Sequence, residues 1–180
     1  MTQPLRILAV CAHNRTRSVL MAGLLHAELS NRGIAADIST AGFARAGLPA
    51  DPSAVQALVT RGIDTGLHST QVFSIEMAEN SDLILTAERI HVVRATEGDI
   101  DRFARTFTLP ELVERAEALG PRGDADLAPW LAELSVGRTP AGYLTEFVPE
   151  LEDPTGFPPE VFRGVVESIE LWCRRLAALL

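Results

Sequence analysis

Leu5-Arg6-Ile7-Leu8-Ala9-Val10-Cys11-Ala12-His13-Asn14-Arg15-Thr16-Arg17-Ser18-Val19-Leu20-Met21-Ala22-Gly23-Leu24-Leu25 is the stretch that decides the fold of this chain. Its unbroken apolar run, Leu5 to Val10, reads as a parallel strand buried on both faces. Cys11 closes the strand, a short loop follows, and Arg17-Ser18 open an apolar, helix-forming run with Ser18 expected as N-cap. The first turn of a helix has unpaired N–H groups and the positive end of the dipole, so it binds anions. A helix N-terminus and a neighbouring guanidinium both favour an anionic sulfur. A nucleophilic sulfur at the floor of an anion pocket suits attack on phosphorus. The loop residues Ala12, His13, Asn14, Arg15 and Thr16 would hold the phosphate oxygens with Ser18, and the Arg17 fork would hold two of them. A lone cysteine at a strand end is more often a small core residue; the strand–loop–helix setting is what lifts this one. No G-x-x-x-x-G-K-[ST] or G-x-G-x-x-G competes for the phosphate.

The chain has 180 residues, enough for a single domain spanning all of it. A hydrophobic fraction of 47% and a charged fraction of 22% are those of an ordinary globule. The net charge of −8 speaks against nucleic-acid or anionic-membrane partners. The only cysteines, Cys11 and Cys173, exclude a disulfide scaffold and point to the reducing cytoplasm. No signal-peptide pattern is present, and no apolar run approaches the roughly 20 residues of a membrane span.

Along the chain, strands are expected at 5–10, 34–40, 82–86 and, more weakly, 103–108. Helices are expected over 18–30, from Asp51-Pro52 to about Arg61, over 74–80, 87–96, 108–119, 127–135 and 161–180, with 137–142 as loop. Asp51, Ser74 and Thr108 read as N-caps. This alternation argues for a doubly wound α/β sheet whose ligands sit at the C-terminal strand ends, where Cys11 lies. Protonating a departing ester oxygen needs an acid on a loop over the pocket. Two Asp-Pro pairs compete for that task; Asp51 is explained as a helix cap, so Asp153 is the candidate general acid.

Cys11-x5-Arg17-Ser18, with Asn14 in the loop, resembles the phosphate loop of the low-molecular-weight protein tyrosine phosphatases. Ser39-Thr-Ala-Gly42, Asp82-Leu-Ile-Leu-Thr86 and Asp153-Pro154 resemble further segments of that family. The resemblance implies a four-stranded parallel sheet in the order 2-1-3-4. It also implies a phosphocysteine formed on Cys11, Arg17 as phosphate clamp, Asp153 as acid and then base, and no metal or cofactor. Asn14 would fix the loop, Ser18 would donate to the sulfur, and Thr40 and His68 would brace Asn14. The implied partner is a phosphorylated protein or small phosphomonoester, and the chain is expected as a monomer or weak dimer.

Residues 110–145 fit the resemblance poorly and read as a helical insertion. Thr16 stands where a second, protective cysteine is frequent, and Arg15 where an aliphatic residue is common, which suits a more acidic substrate. Thr155-Gly156 replace the tyrosines that sandwich a phosphotyrosine ring, leaving Phe43 or Phe157 as the aromatic wall. Two alternatives share the loop: an arsenate reductase using an external thiol, and a phosphate or phosphopeptide binder without turnover.

Overall fold

The computed structural model describes residues 3–180. The chain runs β1 (Leu5–Cys11), α1 (Arg17–Asn31), β2 (Ala36–Gly42), α2 (Pro52–Val59), α3 (Ile75–Glu79) and β3 (Leu83–Thr86). It continues through α4 (Arg89–Ala95), α5 (Ile100–Phe103), β4 (Thr106–Thr108), α6 (Leu109–Leu119), α7 (Leu127–Leu134), α8 (Gly142–Thr145) and α9 (Pro159–Leu179). The strands form one parallel sheet in the order β2-β1-β3-β4, as the resemblance implied. The central strand β1 pairs on both sides, with Val10 opposite Ala41 and Thr86, so both faces are covered and its apolar run is explained.

Strand periodicity splits the core. Ile7, Ala9 and Cys11 point into the larger cluster, built with α1, α2, α6 and α9. Leu8, Val10 and Ile84 point the other way, against Phe43, Phe73 and Met77. The long amphipathic α9 packs along α1 and α6 and closes the first face. Among the described residues, no helix is long and apolar enough to cross a membrane.

Three local expectations are corrected. Helix α1 starts at Arg17 with Thr16, not Ser18, in the N-cap position; the Ser18 hydroxyl is engaged by Cys11 and Asn14 instead. The strand expected over 103–108 begins only at Thr106: Phe103 ends α5, a helical turn capped by the Asp99 carboxylate, which accepts the Asp101 and Arg102 N–H groups. This leaves β4 with three residues. The loop expected over 137–142 ends in the short α8.

The segment between α6 and the acid loop covers the free edge of β4. Ser135 Oγ donates to Ala104 O at 2.8 Å and Arg138 Nη2 to Thr106 O at 2.6 Å. The Thr106 carbonyl of β4 is thereby occupied and unavailable to another strand. The buried Arg138 guanidinium lies over the Phe103 and Phe107 rings and pairs with buried Glu111 at 2.9 Å, which offsets its desolvation.

Candidate active site

The loop between Cys11 and Arg17 sits at the C-terminal edge of β1, the position where open parallel sheets bind ligands. Asn14 organises it. Its φ of 54° is the only positive value among described non-glycine residues, a conformation asparagine tolerates better than most. The side chain is fully buried and bonded at both ends. Nδ2 donates to Ser18 Oγ at 3.0 Å, and Oδ1 accepts the Gln71 N–H at 2.8 Å. His68 Nε2 donates to the Asn14 carbonyl at 2.8 Å. So the structure places His68 against the Asn14 backbone, while the Asn14 side chain is bonded to Ser18 and Gln71. Thr40 lines a cavity with His68 and Gln71, and the bond expected from its hydroxyl is supplied by the Gln71 backbone.

Gly42 at the end of β2 lies directly under the loop. A Cβ there would stand 2.7 Å from Asn14 N and 3.0 Å from Ala12 O, so only glycine lets strand and loop approach. The next residues complete the seam: the Phe43 and Ala44 N–H groups both donate to Ala12 O, at 2.8 and 3.1 Å.

Cys11 is buried, with Sγ 3.2 Å from Ser18 Oγ. Because Ser18 Oγ already accepts from Asn14, its own proton is free to point at the sulfur. Arg17 is buried too and held by acceptors far along the chain. Its Nη1 donates to Leu151 O at 3.0 Å and to Glu88 Oε1 at 2.6 Å, and its Nη2 to Asp153 Oδ2 at 2.9 Å. The structure thus brings Arg17 and Asp153 together at the end of the loop that Cys11 opens. Burial pushes the Asp153 carboxyl up, but the Thr155 hydroxyl bond, at 2.8 Å, and the Arg17 charge outweigh it and hold Asp153 below the usual carboxylate range. Thr155, which stands where a tyrosine was expected, binds the Asp153 carboxylate through both its N–H and its hydroxyl.

Glu88 escaped the sequence reading. It follows β3, where a parallel sheet presents ligand residues, and that position was the available signal. His91, one turn on, is buried. Burial pushes its pKa down to about 4 against the Glu88 charge, and its Nδ1 accepts the Glu88 N–H at 3.2 Å. The exposed His13 and half-buried Thr16 complete the loop. Arg15 is partly spoken for, its Nε donating to Pro49 O at 2.9 Å. Phe43 lies beside Ala12 and stacks on His91 with 5.8 Å between ring centroids. Phe157 is exposed and lines a second wall with Thr16, Pro154 and Thr155.

This arrangement agrees with what sequence comparison finds. The model of the low molecular weight phosphotyrosine protein phosphatases matches residues 6–120. The chain belongs to this family. A relative from Ralstonia nicotianae, described as a probable low molecular weight protein-tyrosine-phosphatase EpsP, is 37% identical over 82 residues, 46% of this chain and 54% of the relative. The chain thus spans about half the length of the curated relatives it matches, 54% and 52%. Among solved structures, a low molecular weight protein tyrosine phosphatase from T. tengcongensis superposes with a TM-score of 0.74, at 24% identity over 98% of this chain and 99% of its own. The YwlE arginine phosphatase from Geobacillus stearothermophilus gives 0.68, at 24% identity over 97% and 92%. At these identities the superpositions show a shared phosphatase-family fold.

Proposed function

We propose that this chain hydrolyses phosphate monoesters through a phosphocysteine, with protein phosphotyrosine as its substrate class. The observation that carries the reading is the contact of Asp153 with Arg17 beside Cys11, across 136 residues of sequence. In the first step the Cys11 sulfur attacks phosphorus in line and the ester P–O bond breaks. Its electron pair goes to the leaving oxygen, which takes the proton of Asp153. In the second step water attacks the phosphocysteine, Asp153 accepts a proton from that water, and the S–P bond breaks to release phosphate. Ser18 supports the sulfur as a leaving group by donating to it, while Arg17 and the loop amides take up oxygen charge.

Asp153 must be protonated to act first, although the Thr155 hydroxyl and the Arg17 guanidinium favour its ionised form. A bound phosphoryl group resolves this. It competes for the Arg17 guanidinium and places negative charge beside the carboxylate, and both changes favour the protonated acid. Cys173 gives no support to a redox relay: it is buried in α9, and burial raises its pKa far above the ordinary thiol value.

The test is turnover without added metal of p-nitrophenyl phosphate, a phosphotyrosine peptide and a phosphoarginine peptide. Cys11→Ser is expected to abolish turnover, and Asp153→Ala to lower kcat about 100-fold or more on the peptide. Phosphate binding without turnover in the wild type would replace this reading with that of a binder. Turnover of the phosphoarginine peptide alone would replace the substrate class.

A further inference from the structure

The basic residues of this acidic chain are all arginines. Among the described residues, nine of the sixteen pair with a carboxylate: Arg6, Arg17, Arg61, Arg89, Arg102, Arg115, Arg138, Arg174 and Arg175. Of the other seven, Arg32, Arg105, Arg122 and Arg163 lie elsewhere in the chain. Arg15, Arg45 and Arg94 have no carboxylate within salt-bridge distance among the described residues, and all three flank the phosphate loop. Arg15 is in the loop, and its bond to Pro49 O uses only Nε, leaving both terminal amino groups. Arg45 is exposed two residues beyond Phe43, on the segment whose N–H groups grip Ala12. Arg94 is exposed on α4, with its guanidinium carbon 4.1 Å from the Phe43 ring centroid.

The wall runs outward without a break. Glu88 holds Arg17 at the phosphate site, His91 follows one turn later, its ring stacks on Phe43, and Arg94 covers Phe43 from above. Buried, neutral His91 backs the Phe43 ring, and the charge lies at the rim. On the other flank, the acid loop carries exposed Glu152 beside Asp153. The mouth is therefore polarised: cationic on the Phe43 side and anionic on the acid-loop side, in a chain of net charge −8.

We propose that Arg15, Arg45 and Arg94 form a specificity rim that selects phosphotyrosine segments with Asp or Glu next to the phosphorylated residue. The rim deepens, and rests on, the phosphatase reading above. Unpaired guanidiniums beside an anion site steer acidic ligands and reject basic ones, and the effect weakens as salt screens it.

The experiment compares kcat/KM for three phosphotyrosine peptides identical except for Glu, Ala or Lys on either side of the phosphotyrosine. Wild-type enzyme is expected to favour the Glu peptide over the Ala peptide about tenfold at low salt, as two or three exposed ion pairs would give, with the Lys peptide slowest. High salt should narrow the ratio. Arg45→Gln and Arg94→Gln are each expected to lower the Glu/Ala ratio about threefold. Arg94 also packs on Phe43, so Arg45→Gln separates the charge effect from loss of that packing. Equal kcat/KM for the three peptides, or a ratio unchanged in both variants, overturns the rim while leaving the phosphatase reading intact. Failure to turn over any of the three peptides overturns the phosphotyrosine reading, and the rim with it.

Discussion

Replacing Asn14 tests whether the loop is held by its side-chain bonds or by its backbone conformation alone. Asn14→Ala removes the 3.0 Å bond to Ser18 and the 2.8 Å bond from Gln71. Each bond contributes about 1 kcal/mol net, and stranding the Gln71 N–H costs about another 1–2 kcal/mol. Alanine at a φ of 54° adds about 1 kcal/mol of strain. The sum, about 4 kcal/mol, acts on the segment that carries Cys11 and Arg17. Asn14→Gly removes the same bonds without the strain, so its cost is about 3 kcal/mol. Expressed in the population of the correctly shaped loop, these costs lower kcat on p-nitrophenyl phosphate by about 100-fold for glycine and several-fold more for alanine. Steady-state kinetics with urea unfolding of each variant is the assay. A glycine variant within threefold of wild type would refute the reasoning, since the backbone conformation would then suffice and the bonds to Ser18 and Gln71 would be dispensable.

Gly42→Ala is expected to destabilise the fold by about 1–3 kcal/mol and to lower kcat, since the added methyl meets backbone atoms of the loop at 2.7 and 3.0 Å; calorimetry and kinetics check both. Glu88→Gln removes a negative charge that holds Arg17, so competition kinetics should give a lower Ki for inorganic phosphate while kcat falls about tenfold as the guanidinium loses its anchor. His91 is buried neutral with its pKa pushed from 6.5 down to about 4. The unfolded chain therefore binds a proton that the folded one refuses as pH falls from near 6.5. That stability is complete above this range and is lost progressively down to pH ~4, by about 3 kcal/mol, which urea titrations at pH 7 and pH 5 would detect in part; His91→Gln should flatten the dependence.

Elements that a short segment satisfies by itself were legible. The Asp51, Ser74 and Thr108 side chains accept N–H groups two or three residues on, as read from their spacing ahead of apolar runs. Cys11, Arg17 and Ser18 could be placed because they belong to one strand–loop–helix unit whose geometry is local. Local reading failed where a side chain answers to something distant. Ser18 resembles an N-cap, but its hydroxyl is used inward by the loop, and the N-cap position falls two residues earlier, at Thr16. Asn14 finds its acceptor-side partner in Gln71, 57 residues away, which displaces the expected Thr40.

The sequence by itself determined a parallel α/β sheet with a cysteine at the start of a strand-to-helix loop, because apolar periodicity and helix-end chemistry act over a few residues. Tertiary structure decided what surrounds that loop. Arg17 meets Glu88 and Asp153, Phe43 lies between His91 and Arg94, and Gly42 stands with no room for a methyl group. A buried guanidinium must be paired, and a buried amide must find its partners, but any of many carboxylates and carbonyls could serve. Which ones do so depends on how the strands and helices stack, and no spacing along the chain carries that information.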